Sequence, residues 1–227
     1  MHVRPGKAQD LPDCATISRN AMFDDNLTAY VAPHRHNHPE CLRQGILRRA
    51  KKRFYGGDTL WVAVTDDNDA DWDGHEKVIG HLSASSTREA NSKPSAFSWK
   101  GLEVRLLQLE ELFIWYTNSD RSISRRKWTE FASGKWTGYQ DPFANFKEYW
   151  HVSHLSVDPE YQRRGVGTAL IENVKRLASK DTLPLALLSS VQGRFLYLKS
   201  GFRELEQLNE GTLYACHLMA WYPDSSK

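Results

Sequence analysis

The densest chemistry in this chain lies at Gln162-Arg163-Arg164-Gly165-Val166-Gly167, between an apolar run ending at Val157 and an amphipathic run that starts near Gly165. That is a strand-to-helix junction. Glycines at 165 and 167 keep side chains off the first helical turn, and the amides there lack intrahelical partners and sit at the positive end of the helix dipole. Amides of residues 163–168, ending at Thr168, are therefore suited to a diphosphate, with Arg163 or Arg164 adding charge. A Walker loop is disfavoured by the missing Gly-Lys-Ser/Thr ending, and the dinucleotide fingerprint is incomplete and comes far too late in the chain for an opening unit. The triplet His34-x-His36-x-His38 has imidazoles that suit zinc, copper or nickel, but no carboxylate or cysteine nearby completes a set, so no metal site is expected.

Those residues need a scaffold of ordinary soluble composition. The 227 residues are 40% hydrophobic and 26% charged, enough for one large domain or two small ones. Thirty Lys and Arg against 28 Asp and Glu leave a net charge of +2, which does not favour nucleic acid as a partner. No apolar run reaches the ~18 residues of a membrane span, and the start has no signal-peptide core, so no membrane partner is expected. Three cysteines with no close pair fit a reduced compartment, and a cytoplasmic location is the expectation.

The elements follow from periodicity. His2 to Pro5 reads as a short strand, and Leu11, Cys14, Ala15, Ile17, Ser18 and Ala21 as a helical face that begins beside Asp10. A second helix is expected from about Glu40 to Phe54, strands at Thr59 to Thr65 and Lys77 to Ala84, and an acidic hairpin loop at Asp66 to Asp73. Residues 85–148 read as an insertion between the third and fourth strands, with helices at Leu102 to Trp115 and Arg121 to Ala132, a loop at Gly134 to Gly138, and a concentration of tryptophans (99, 115, 128, 136 and 150). These rings are expected to be packing anchors, or else an apolar substrate wall. Strands at Trp150 to Val157, Leu183 to Leu188, Phe202 to Leu208 and Leu213 to Trp221 alternate with helices from Gly165 to Ser179 and Gly193 to Lys199. The result is α/β or α+β, read as a single domain over residues 1–227. Strict alternation along the fourth strand puts His151, Ser153, Leu155 and Val157 on one face and Val152, His154 and Ser156 on the other.

The run from Leu155 through Asp158-Pro159 to Gly167 and Leu170 resembles the acyl-CoA-binding motif of the GCN5-related N-acetyltransferase (GNAT) superfamily. About thirty residues on, Tyr197-Leu198-Lys199-Ser200-Gly201-Phe202 resembles that family's second signature. The resemblance implies an acyl-CoA N-acyltransferase fold: a mixed, twisted sheet with a V-shaped splay and helices on both sides. It implies acetyl-CoA as cosubstrate, with its pyrophosphate on Gln162, Arg163, Arg164, Gly165, Val166, Gly167 and Thr168. Pantetheine would run beside Leu155, Ser156 and Val157, and an amide there would polarise the thioester carbonyl. Tyr197 matches the family's general acid. Where many relatives have an asparagine near Gly193, this chain has Ser189-Ser190-Val191-Gln192, so Ser189, Ser190 or Gln192 is a candidate contact, and Arg194 a candidate for cofactor phosphate or for solvent. His154 is the candidate base, or else a structural histidine, with Glu110, Glu111, Glu148 and His81 as weaker alternatives. The implied reaction is direct acetyl transfer to a primary amine, expected to be a small molecule. Protein or peptide acetylation and a noncatalytic acyl-CoA-binding module are the alternatives. Family members are often dimers, so a homodimer is an expectation without a named surface.

Overall fold

The computed structural model describes residues 1–70, 72–88, 95, 97–134 and 141–223. Asp71 of the acidic tract and residues 135–138 of the expected loop, with Trp136, lie outside them. In chain order the elements are β1 (His2–Pro5), α1 (Leu11–Met22), α2 (Asn26–Val31), α3 (Pro39–Gly56), β2 (Thr59–Val64), β3 (Val78–Ser86), α4 (Trp99–Thr117), α5 (Arg125–Ala132), β4 (Trp150–Val157), α6 (Val166–Asp181), β5 (Leu185–Ser190), α7 (Arg194–Lys199), β6 (Arg203–Leu208) and β7 (Cys216–Trp221). Single 3-10 turns precede α1 and follow β4.

Local chemistry sets the ends. Prolines occupy the first turns of α1 and α3, where a missing N–H costs nothing. α3 stops at Gly57, whose φ of 112° is left-handed. Asp10 does not cap α1. Its carboxylate instead accepts from Arg4 at 2.9 and 3.1 Å and from the Lys7 amide at 2.7 Å, tying β1 to the start of the helix.

Among the described residues, seven strands form one sheet in the order β1-β2-β3-β4-β5-β7-β6. All neighbours are antiparallel except β4 and β5, which run parallel and pair only at Trp150–Leu185 and His151–Ala186. Beyond those two pairs the strands diverge, which is the V-shaped splay. On one face α6 buries Val166, Leu170, Ile171, Val174 and Ala178 against Ile79, Leu82, Val152 and Leu187. On the other, α1 and α3 bury Leu11, Cys14, Ile17, Leu42 and Ile46 against Leu60, Val62 and Val64. Each such aliphatic side chain contributes about 1.5–3 kcal/mol of apolar transfer free energy. With α6 on one side and α1 on the other, both β3 and β4 are covered on both faces up to the point where β4 opens.

Strict alternation along β4 does not hold. Ser83 pairs with His154 but Ala84 pairs with Val152, so Ser153 is an extra residue and β4 bulges there. The bulge flips the later side chains. Val152 therefore shares a core with Leu155 and Val157, while His154 and Ser156 face Ser18 of α1.

Candidate active site

The splay opens a cavity of about 950 Å³, lined from β4 by Ser153, Leu155, Ser156 and Val157 and from β5 by Leu188, Ser189 and Ser190. The 163–168 loop enters it through Arg163, Gly165, Val166, Gly167 and Thr168 together with Gln162, and Gln192, Gly193, Phe195 and Leu196 line it around the start of α7. Backbone geometry fits an anion here. Arg163 and Gly165 have φ of 62° and 85°, which turns the chain sharply so that α6 starts with its free amides at the cleft. A Cβ on Gly165 would meet nothing within 4 Å, so the space over that first turn is open. Gly167 has a different reason: a Cβ there would come within 3.0 Å of Leu196 Cδ2, so this glycine lets α7 pack close to α6.

The cleft edge of β4 also follows from hydrogen bonding. The Asp158 amide donates to the Ile79 carbonyl of β3 at 2.9 Å. By alternation, Leu155 and Val157 turn their amides and carbonyls away from β3, into the splay. The Gln162 side-chain amide indeed donates to the Val157 carbonyl at 3.2 Å. An extended chain with donors and acceptors could therefore lie along β4 where β5 has left it.

The remaining expected residues divide. Ser190 lines the cleft, and its Oγ accepts from the Gly193 amide at 3.1 Å. Arg164 stacks its guanidinium over the Tyr161 ring, outside the cavity wall. Arg194 pairs with Glu204, which also holds His217 at 2.9 Å, so this guanidinium is turned to β6 and away from the cleft. Tyr197 is buried, with its ring edge-on to Phe202 and 3.7 Å from where a Gly193 Cβ would be. Burial pushes its phenol well above the usual tyrosine range, so it stays protonated. Glu110 and Glu111 face Arg48 and Lys52 of α3, and Glu148 pairs with Arg88; none lines the cleft.

His154 belongs to a buried polar cluster. Its Nε2 lies 2.9 Å from Ser18 Oγ and 3.1 Å from Ser156 Oγ, and Ser18 Oγ is also 2.8 Å from His81 Nε2. The two imidazoles stack with centroids 5.2 Å apart. Burial, and then the neighbouring histidine and Arg53 and Arg49, hold His154 well below the usual histidine range; burial and Arg53 bring His81 down to about 3. Both rings are neutral at pH 7. Ser156 is the member of this cluster that reaches the cavity.

Periodicity did not reveal the far end of the cleft. Asp25, Leu27, Phe131 and Tyr214 line it together with Met22 and Leu213. Asp25 caps α2, accepting from the Leu27 and Thr28 amides at 3.0 and 3.2 Å, and is the one carboxylate in the wall among the described residues. The Asp-Asn-Leu-Thr run is a readable cap, but α2 is too short to show a period. Of the insertion, α5 reaches the cleft through Phe131, which stacks with Tyr214. The tryptophans serve several purposes. Trp150 is core and donates to Asp181 at 2.8 Å, Trp128 lies under Arg49, and Trp99 and Trp115 are exposed. Among the described residues, no group of three or more His, Cys, Asp or Glu is placed to hold a metal, and no helix is long and apolar enough to cross a membrane.

Comparison with known proteins agrees with this geometry. Residues 126–221 match the family model described as acetyltransferase (GNAT) domain. Over 207 residues the chain is 22% identical to a protein named acetyltransferase from Stachybotrys chartarum, covering 91% of this chain and 82% of that one. Among solved structures it resembles a histone acetyltransferase HPA2 and related acetyltransferase from Corynebacterium glutamicum, with a TM-score of 0.59, 16% identity, and coverage of 100% and 97% of the two chains. An N-acetyltransferase from Staphylococcus aureus gives a TM-score of 0.53 at 15% identity, over 97% and 100%. Residues 126–221 therefore match an acetyltransferase (GNAT) domain, and the chain has the splayed, mixed-sheet fold of the acetyltransferase structures it resembles.

Proposed function

We propose that the chain, as one domain over residues 1–227 with the 85–148 segment inserted, transfers acetyl from acetyl-CoA to the primary amine of a small molecule. The observation that carries this is the single cavity that runs from the open first turn at Gly165 past the free edge of β4 to Asp25, Phe131 and Tyr214. Residues 163–168 supply amides and the Arg163 charge for the diphosphate, and Gln162 and Ser190 border it. Leu155 or Val157 offers the amide that stabilises charge on the thioester oxygen. Acetyl-CoA supplies the activated acyl group. The amine nitrogen forms a bond to the acyl carbon as the carbon–sulfur bond breaks, and Tyr197, which is buried behind Gly193 of the cavity wall and is not itself a lining residue, gives its proton to the departing sulfur. His154 receives the amine's proton through Ser156, whose Oγ touches both the ring and the cleft.

A small acceptor is supported by the dimensions and chemistry of the far end. Phe131 and Tyr214 form an aromatic wall there, and Asp25 carries a charge that attracts an ammonium before it loses its proton. We take the working unit to be a cytoplasmic homodimer, a setting in which its three unpaired cysteines stay reduced. The test is free-thiol release from acetyl-CoA with a panel of alkyl and aromatic amines, amino acids and peptides. Release that depends on a small amine, with the acetylated amine found by mass spectrometry, is the expected result. Release with peptides alone would transfer the activity to protein substrates, and CoA binding with no release would leave a binding module.

A further inference from the structure

Among the described residues, the outer face of α4 is apolar and uncovered. Its inner face is set on α3, with Gly101 and Leu107 buried. The opposite face carries Trp99, Leu102, Leu106, Leu109, Phe113 and Tyr116, with Leu109 62% and Tyr116 82% exposed. A helix apolar on both sides is normally covered on both. The spacing of those six residues is 3-4-3-4-3, the seam of a two-stranded coiled coil. We propose that this seam is the contact of a parallel, two-fold dimer of this chain. The inference rests on the homodimer part of the reading above and is independent of its chemistry.

Two observations select a second copy. Aromatic rings bury about 150–250 Å² each, so three rings and three leucines at these exposures offer roughly 700 Å² per protomer, close to the ~800 Å² of a specific interface. Charge chooses the direction. Parallel, in-register helices place Arg105 on one flank beside the partner's Glu110, and the two-fold axis makes that pair twice. Antiparallel helices would set Glu103 beside the partner's Glu110, two like charges. Arg105 makes no ion pair among the described residues, and Glu110 is held only at 3.7 Å from Arg48, so both are available. A lipid surface is the wrong occupant, because α4 carries Glu103, Glu110 and Glu111 against Lys100 and Arg105, where surface-bound helices are basic. Since α3 lies behind α4, the two protein bodies stand on opposite sides of the paired helices.

The test is sedimentation of the full chain at micromolar concentration. The wild type is expected to run as a dimer and Leu109→Glu as a monomer with unchanged circular dichroism, since this side chain stands in solvent within one protomer. Arg105→Glu should weaken the dimer about tenfold, ~1.4 kcal/mol, and Arg105→Glu with Glu110→Arg should restore it. Leu109→Cys should cross-link to its own counterpart on oxidation, above the wild-type background. A monomeric wild type would overturn both the homodimer and the seam, including one that co-sediments with phosphatidylserine vesicles. A dimer that survives Leu109→Glu would overturn the seam while leaving a homodimer. Cross-linking only between Leu106→Cys and Leu109→Cys chains would overturn the parallel direction.

Discussion

Replacing Gly165 by aspartate separates the anion-binding role of the loop from its role in folding. Gly165 has φ of 85° and caps α6. A residue with a Cβ pays about 1–2 kcal/mol in the left-handed region. Aspartate is also a favourable N-cap, returning ~1 kcal/mol by accepting from the first-turn amides. Stability should then fall by no more than about 1 kcal/mol, or ~2–4 °C in Tm for a chain of this size. Binding suffers far more. The carboxylate occupies the amides offered to the diphosphate, in space that is open in the wild type, and repels the ligand's charge. Losing two charge-assisted hydrogen bonds at ~1.5–3 kcal/mol each predicts a 10²–10⁴-fold weaker CoA Kd. Gly165→Ala carries the strain without the charge and should lose less than about tenfold. Calorimetric titration of CoA and thermal melts of the three proteins give both quantities. A CoA Kd for Gly165→Asp within about threefold of wild type, less than ~0.7 kcal/mol, would refute the assignment of the diphosphate to this turn.

Three further outcomes follow from the same geometry. Tyr197→Phe should lower kcat by about 10–100-fold while leaving CoA affinity within a factor of two, as expected for loss of general-acid help; an unchanged kcat would remove Tyr197 from the chemistry. Gly80→Ala would bring a Cβ within 2.9 Å of Val166 Cγ1 and 3.3 Å of the Ser156 carbonyl. Overpacking of this kind costs about 1–3 kcal/mol, so Tm should drop by several degrees and CoA bind more weakly as the α6 start shifts; an unaltered melt would contradict the close packing. His81 and His154 are held neutral, His81 down to about 3. The unfolded chain takes up protons below about pH 6.5 while the native cluster does not, so stability is full above 6.5 and falls as pH drops, by up to ~1.4 kcal/mol per pH unit per histidine. Urea midpoints should fall between pH 7 and pH 5, and a His81→Asn variant should show a shallower slope. Identical slopes would place the cause elsewhere.

The parts legible in the sequence are those with long periods or special backbone needs. α6 shows its apolar stripe, β5 is apolar because helices and strands cover it, and Gly165 marks a turn that only glycine enters freely. The β4 bulge at Ser153 was hidden because one extra residue leaves no mark in composition, yet it reverses which side chains share a face. The spacing of Gly167 suggests room for a ligand, but its tightest neighbour is Leu196. The sequence leaves Arg194 open between cofactor phosphate and solvent, and only the pairing of β6 with β7 brings Glu204 to it. The far wall was illegible for a similar reason, since Asp25, Phe131 and Tyr214 come from three distant segments that meet only in the folded chain. The serine–histidine cluster likewise joins residues 18, 81, 154 and 156 across three elements.

The most direct measurement of the central claim is amide hydrogen exchange with and without CoA. Slowed exchange confined to residues 155, 157, 163–168 and the start of α7 is the predicted result, since those amides border the splay and the first turn of α6. Protection at the cavity between α3, α4 and α5, near Arg49 and Trp128, with none at residues 163–168, would contradict it.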